Sequence, residues 1–238
     1  MKKTALFLGI IFLIAGNFYN GTAQTALQDS AFSLIKKVLD HYGKNHINSM
    51  NLISYGFTDT SGNTIEDSVA YNLIFSKEKL YYGNSEIEFI KSDSFLIEVD
   101  HEDKTITVSK YKTQYNPANV FMFDSVFLFN NQVNNIIEEN NNYIISLNLP
   151  SLNCLDYKIT IDKNSFSLKQ SDMLLYEGYD FYKKEFTGLY KVSVFYPDQT
   201  QLKNFPDKEY GVNKFLTKVN NQFKPNDNYN SYQLKIIN

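Results

Sequence analysis

The sequence predicts a mainly β protein of the α+β class. Its centre is an unclosed, strongly curved antiparallel β-sheet, a half-barrel, covered by an N-terminal helix and a lid-like helical segment. Three observations lead to this prediction. Apolar residues recur at every second position over residues 65–111 and again after residue 133, as in strands with one buried face. Apolar residues at helical spacing occupy residues 27–42, and a nearly continuous apolar stretch occupies residues 120–129.

The number of alternating segments indicates the curvature of the sheet. A sheet of roughly ten strands twists and curls instead of staying flat. Its apolar face must be covered by other parts of the protein or by a ligand. The function depends on which of the two covers it.

The first 23 residues have the layout of a secretory signal peptide. Lys2 and Lys3 precede an apolar run over residues 5–15, and small residues stand at Gly21 and Ala23. We expect cleavage near Ala23 and export to the periplasm. The apolar run is too short for a comfortable membrane span. Residues 24–238 are predicted to form a single domain.

Composition excludes some classes of function. The net charge is −3, and all 23 basic residues are lysines. Guanidinium groups are the usual readers of phosphates and base edges, so nucleic acid is not an expected partner. One cysteine cannot form an internal disulfide. The 19 Phe and 18 Tyr residues exceed what a plain meander needs, which indicates a large apolar cavity or a sheet with two apolar faces.

The N-terminal helix is predicted from its two ends and from one apolar stripe. Thr25 and Gln28 have the spacing of a capping box, and Gly43 supplies the stop. The apolar stripe lies at helical spacing and consists of Leu27, Ala31, Leu34, Ile35, Val38 and Tyr42. We expect this helix to lie across the sheet.

Strands and turns follow in order. We predict a first strand at residues 52–59, then strands in 65–111 separated by turns at 77–78, 83–84, 92–93 and 100–103. After residue 133 we predict a hairpin tip at 140–142, a turn at 162–164, a strand at 189–196, a loop at 197–211 and final strands at 214–219 and 232–237.

The apolar stretch before residue 130 has two interpretations. Asn116 and Pro117 are typical of a helix start, and between Val120 and Phe129 only two residues are polar. A helix that is apolar nearly all round is buried or lies in an apolar groove. The phenylalanines also alternate, which fits a strand.

Signals for catalysis or metal binding are weak. His101 lies within residues 100–103, an acidic cluster that could bind a cation but has the composition of a solvated hairpin tip. Cys154 lies in an alternating strand, which indicates a buried, inert thiol. Neither a nucleophile elbow nor a glycine-rich phosphate loop occurs. We therefore expect no enzyme activity, no metal site and no cofactor.

The candidate site is an apolar cavity for a ligand. Its predicted lining on the sheet is Tyr71, Leu73, Phe75, Ile87, Phe89, Phe95, Ile97 and Val99. Its predicted lining on the lid is Phe121, Met122, Phe123, Phe127 and Leu128. Alternatively, these side chains fill one another's space as an ordinary core.

The order of these elements resembles that of a known family. Residues 26–42, 74–109, 115–121 and 157–170 resemble, in order, segments of the periplasmic outer-membrane lipoprotein carrier LolA and its LolA-like relatives. The resemblance implies an unclosed antiparallel barrel with a helical lid over an apolar cavity. It also implies carriage of lipoprotein acyl chains from an inner-membrane transporter to an outer-membrane receptor, with no catalytic residue.

The sequence thus predicts a monomeric periplasmic carrier that takes part in outer membrane biogenesis. It would hold lipoprotein acyl chains or another apolar lipid, with envelope membrane proteins as partners. The alternative is a non-catalytic envelope module with a filled core that binds other proteins.

Overall fold

The computed structural model describes residues 26–43, 47–57, 59–76, 79–92, 95–110, 132–149, 154–176, 179–180, 185–186, 188–219 and 222–237. The predicted signal peptide, the cap at Thr25 and the whole predicted lid over residues 121–129 lie outside these residues.

Strands make up most of the described chain. The helices are α1 (Ala26–Gly43), α2 (Asp207–Tyr210) and α3 (Val212–Phe215), with a 3₁₀ turn at Asp227–Tyr229. The first ten strands are β1 (Ile47–Phe57), β2 (Ile65–Phe75), β3 (Leu80–Gly83), β4 (Ile87–Lys91), β5 (Phe95–Asp100), β6 (Thr105–Lys110), β7 (Gln132–Glu139), β8 (Asn142–Leu149), β9 (Cys154–Asp162) and β10 (Leu168–Tyr176). The others are β11 (Tyr179–Asp180), β12 (Glu185–Phe186), β13 (Leu189–Phe195), β14 (Gln199–Leu202), β15 (Leu216–Val219), β16 (Gln222–Pro225) and β17 (Gln233–Ile237).

Thirteen of the described strands form one sheet. Its order is β17-β6-β5-β4-β3-β2-β1-β13-β10-β9-β8-β7, and β14 pairs with β1. The path ends at β17 and at β7, so the sheet does not close on itself. Neighbouring strands from β2 to β6 and from β7 to β10 pair antiparallel, whereas β17 joins β6 in parallel. The predicted fold class, a mainly antiparallel and unclosed sheet with an N-terminal helix, is confirmed.

The chain separates into two compact units. Of the described residues, the first unit comprises those within 26–41, 55–67 and 132–194, and the second comprises those within 42–54, 68–110 and 195–237.

The predicted N-terminal helix is confirmed, and its apolar stripe is half-buried at Leu27 and buried from Ala31 onward. Ala31, Leu34, Ile35, Val38 and Tyr42 are all buried, at the i, i+3, i+4, i+7 spacing of one helix face. The helix ends at Gly43, as predicted.

In the first unit, β7 to β10 bury one face of the sheet and expose residues on the other. Ile145 and Ile159 pair directly and are fully buried, whereas Ile137 and Leu155 are exposed. The predicted tip at residues 140–142 is confirmed as a tight turn with positive φ at Asn140 and Asn141. Alternation therefore identified the buried face correctly at Ile145 and Ile159. It was wrong for Leu155, because a register shift between Leu147 and Leu149 pairs Leu149 with Cys154 and takes Leu155 out of the alternation.

The predicted turn after β9 is also confirmed. The carboxylate of Asp162 accepts hydrogen bonds from the backbone N–H groups of Asn164 and Ser165, and these bonds lower the pKa of Asp162. Phe166 follows with φ of 58°, in the left-handed region that side chains rarely adopt. The ammonium of Lys37 lies 4.8 Å from the centroid of its ring.

Three predictions about the positions of strands and loops were wrong. β1 begins at Ile47, not at residue 52, because the polar residues before it still pair with β14. The predicted loop at 197–211 contains β14 and α2. The predicted strand at 214–219 begins only at Leu216, since residues 212–215 form the single helical turn α3.

Candidate functional site

Strands β2 to β6 of the second unit have two distinct faces. Cross-strand pairs share a face, and the register joins Leu73 to Tyr82 and Tyr82 to Phe89. We call the front face the side that carries Tyr71, Leu73, Phe75, Leu80, Tyr82, Ile87 and Phe89. We call the back face the side that carries Ile74, Tyr81, Ile90, Ile97, Val99, Ile106 and Val108.

The predicted sheet lining is divided between these faces. Tyr71, Leu73, Phe75, Ile87 and Phe89 lie together on the front face, and all but the half-buried Ile87 are buried. Phe95, Ile97 and Val99 lie on the back face instead. The predicted lid residues Phe121, Met122, Phe123, Phe127 and Leu128 lie outside the described residues.

The back face is covered by a later part of the chain itself. We call residues 205–219 and 222–237 the C-terminal segment. Its Phe215 and Leu216 belong to the same buried cluster as Ile97 and Val99. Phe95 packs edge-on against Phe223, with ring centroids 5.1 Å apart. Partly buried side chains from this segment complete the cover: Phe205, Tyr210, Val212, Tyr229, Tyr232 and Leu234.

A polar cluster around Glu88 is buried under this cover. The carboxylate of Glu88 accepts hydrogen bonds from the hydroxyl of Tyr81 at 2.7 Å and from the ammonium of Lys214 at 2.6 Å. Its other oxygen lies 2.7 Å from Nε2 of His101, and Nδ1 of His101 lies 2.8 Å from the hydroxyl of Tyr232. Burial and the bond to Glu88 raise the pKa of Tyr81.

This cluster corrects the prediction for His101. The turn after β5 is confirmed, but the His101 side chain is half-buried, because it connects Glu88 of the sheet to the C-terminal segment. Sequence reasoning missed Glu88, since an acidic residue in an alternating strand is normally assigned to the wet face.

The front face is mainly apolar but not entirely so. The rings of Tyr71 and Tyr82 are stacked with centroids 4.9 Å apart, and burial together with Tyr71 raises the pKa of Tyr82. Phe75 contacts the ring of Tyr42 in α1 at 6.0 Å. Lys91, at the end of β4, is on this face and is only 6% exposed.

Tyr42 holds the end of α1 beside the front face. Its hydroxyl donates a 2.6 Å hydrogen bond to Gln199 of β14, and its backbone carbonyl accepts one from the buried side chain of Asn48 at 2.8 Å. The helix end, β1 and β14 are therefore fixed at the margin of the front face by satisfied polar groups.

Cys154 is buried, as predicted. Its thiol donates to the carbonyl of Asp156, and burial raises its pKa from the ordinary value of 9.0 to about 11. The thiolate is the reactive form of cysteine, so this side chain is inert near neutral pH.

This pKa shift predicts a loss of stability at alkaline pH. Between pH 9 and 11 the unfolded chain has lost the thiol proton while the folded chain keeps it, so the free energy of unfolding falls as pH rises. Urea unfolding at pH 8, 9 and 10 should show a steeper decline for the wild type than for Cys154→Ala. Parallel declines in the two proteins would contradict the prediction.

Two further features of the described residues bear on the site. Within the part of the chain that the structure describes, no three His, Cys, Asp or Glu side chains are grouped so that they could hold a metal ion. None of the helices described is long and apolar enough to cross a membrane.

No protein-family model matches the chain, and no curated protein matches it. Solved structures do. An uncharacterized conserved protein from Thermus thermophilus is 7% identical with a TM-score of 0.50, over 87% of this chain and 99% of that chain. A LolA superfamily protein from Nitrosomonas europaea is 11% identical with a TM-score of 0.35, over 76% and 97% of the two chains.

A putative outer membrane lipoprotein-sorting protein domain from Vibrio parahaemolyticus is 6% identical with a TM-score of 0.38, over 79% and 98% of the two chains. At these identities the likeness describes the fold alone. Structures named for the LolA superfamily and for lipoprotein sorting are thus among those that this chain resembles.

Proposed function

We propose that this protein is a non-catalytic periplasmic carrier that holds an acyl chain of a lipoprotein, or another apolar lipid, against the front face. The observation that carries this proposal is the difference between the two faces of strands β2 to β6. The chain's own C-terminal segment fills the back face. The front face is a second apolar surface, and its largest side chains come from three adjacent strands. A sheet with two apolar faces needs two covers.

The front face supplies enough binding energy for carriage. Each methylene moved out of water contributes about 0.8 kcal/mol, so a chain of about sixteen carbons gains up to about 12 kcal/mol before ordering costs. Aromatic and aliphatic side chains dominate the surface, as in most small-molecule sites. An apolar tail can therefore be held without any polar contact.

The location and partners belong to the same proposal. The leader-like residues 1–23 support export to the periplasm. There a monomer would exchange its cargo with envelope membrane proteins during outer membrane biogenesis, with neither a cofactor nor nucleic acid involved.

A neutral fluorescent lipid tests the proposal. Purified protein is titrated with a pyrene-labelled monoacylglycerol, which has an apolar tail and no charge. We expect saturable binding to the wild type and at least tenfold weaker binding to Phe89→Asp, because a carboxylate on the front face must be desolvated when the tail enters. Phe89→Ala keeps the face apolar and serves as a second variant if Phe89→Asp does not fold.

The matched control is Ile137→Asp. This residue is also an apolar strand residue, but it lies on β7 and is 43% exposed. Its variant should bind the probe as the wild type does. A wild-type protein that does not bind the neutral probe, with circular dichroism showing a folded sheet, would overturn the proposal.

The filled back face favours a second candidate function. If the front face is packed as fully as the back face is, the protein is a non-catalytic envelope module that binds other proteins through its exposed loops. That function predicts no probe binding and no difference between Phe89→Asp and Ile137→Asp in lipid uptake.

A further inference from the structure

We propose that the ligand is an anionic amphiphile and that Lys91 binds its head group. This inference rests on the proposed function, because it names the chemical class of the lipid. Lys91 pairs with Leu80 on β3 and with Leu96 on β5, and Leu80 pairs in turn with Phe75. Its side chain is therefore on the front face, on the same row as Phe75.

A lysine in this position is energetically expensive. Lysine is almost never fully buried, because removing an ammonium from water is costly unless an anionic or hydrogen-bonding partner compensates. Lys91 is only 6% exposed. Lys91 already interacts with another group of the protein. An ammonium has three N–H donors, so it can bind an anion of a ligand in addition. A carboxylate or phosphate would form a charge-assisted hydrogen bond with it.

The charged side chains on this face favour one orientation of the bound ligand. Each front-face residue of β4 forms a row with its cross-strand neighbours. From the row of Lys91, past that of Phe89, to the row of Ile87 is a distance of about 14 Å along β4, at about 3.4 Å per residue. On β5, Glu98 pairs with Phe89 and Asp100 pairs with Ile87. The two carboxylates therefore lie in the rows of Phe89 and Ile87, and neither lies in the row of Lys91. An anionic head group is attracted to the Lys91 row and repelled from the other two.

The apolar side chains then accommodate the tail. Beyond Lys91, the front face carries Phe89, Tyr82 and Leu73 on one row and Ile87 on the next. A tail that runs along these rows stays over apolar surface, while the head group remains at the end of β4. The arrangement should therefore bind fatty acids and lipid phosphates more tightly than neutral acyl chains, because a neutral chain forms no charge-assisted hydrogen bond with Lys91.

Three ligands with the same sixteen-carbon tail test the inference: hexadecanoic acid, hexadecyl phosphate and hexadecanol. Each displaces the neutral pyrene probe from the full-length protein. We expect the wild type to bind one or both anions about tenfold more tightly than the alcohol, as a charge-assisted hydrogen bond would give. The two anions distinguish a carboxylate from a phosphate head group. In Lys91→Met the preference should disappear, and in Lys91→Arg it should persist.

Lys110→Met is the matched control, because Lys110 is an exposed lysine on β6. Its preference for the anions should equal that of the wild type. Equal affinities of the wild type for acid, phosphate and alcohol would overturn the inference but leave the proposed function intact, as would an unchanged preference in Lys91→Met. Failure of the wild type to bind either the neutral probe or any of the three ligands would overturn both.

Discussion

Glu88→Gln is expected to lower the free energy of unfolding by about 3 kcal/mol, the cost of removing one partner from a buried ion pair. Both carboxylate oxygens of Glu88 accept hydrogen bonds or face a histidine nitrogen, and the residue is only 4% exposed. A glutamine replaces one acceptor with a donor, which must then face His101 or the donors Tyr81 and Lys214. Urea denaturation measures the change.

The control for this variant is an exposed ion pair in the same region. Lys79 binds Asp207 of α2 at 2.7 Å, with side chains that are 36% and 49% exposed. Lys79→Met should therefore change stability by less than about 1 kcal/mol. Equal losses from Lys79→Met and Glu88→Gln would show that the Glu88 cluster contributes no more than a surface pair.

Phe215→Ala is expected to lower the free energy of unfolding by about 3 to 5 kcal/mol, the usual cost of truncating a buried phenylalanine. Phe215 is fully buried, and its ring lies 4.8 Å from that of Tyr229. Phe215 also belongs to the buried cluster that includes Ile97 and Val99, so the truncation opens a cavity between the C-terminal segment and the back face. The midpoint and slope of a urea transition measure the loss.

Val219→Ala provides the comparison, since Val219 lies in the neighbouring strand β15 and is 43% exposed. Its loss should stay within about 0.5 kcal/mol. A loss below about 1 kcal/mol in Phe215→Ala would mean that the C-terminal segment separates from the back face before the sheet unfolds.

Features set by local chemistry were predictable from the sequence. The helix over residues 26–43 follows from the apolar period and from Gly43, and the turn after β9 follows from Asp162 and its neighbours. In both, residues close in sequence decide the structure, because they hydrogen-bond or pack within a few positions of one another.

Assigning residues to the two faces required more than alternation. Alternation shows that Phe95, Ile97 and Val99 share a face, but the turn between β4 and β5 decides which face of the preceding strand it matches. The pairs Ile90 with Ile97 and Glu88 with Val99 settle this in favour of the back face. If the register of β4 with β5 were shifted by one residue, Phe95, Ile97 and Val99 would lie on the front face with Phe89.

The C-terminal segment could not have been assigned to the back face from the sequence. Its contacts with the sheet come from residues far apart along the chain, such as Lys214 with Glu88 and Tyr232 with His101. No local pattern encodes such a pairing, since the sequence around each partner fits a solvated position equally well.

The parallel strand β17 protects one border of the sheet. It pairs with β6 from Gln233 with Thr105 to Ile237 with Ser109. Without these residues, β6 would present a row of unpaired amide and carbonyl groups, which is a template for pairing with other molecules. A chain truncated before residue 233 is therefore expected to be more prone to aggregate than a chain that carries β17.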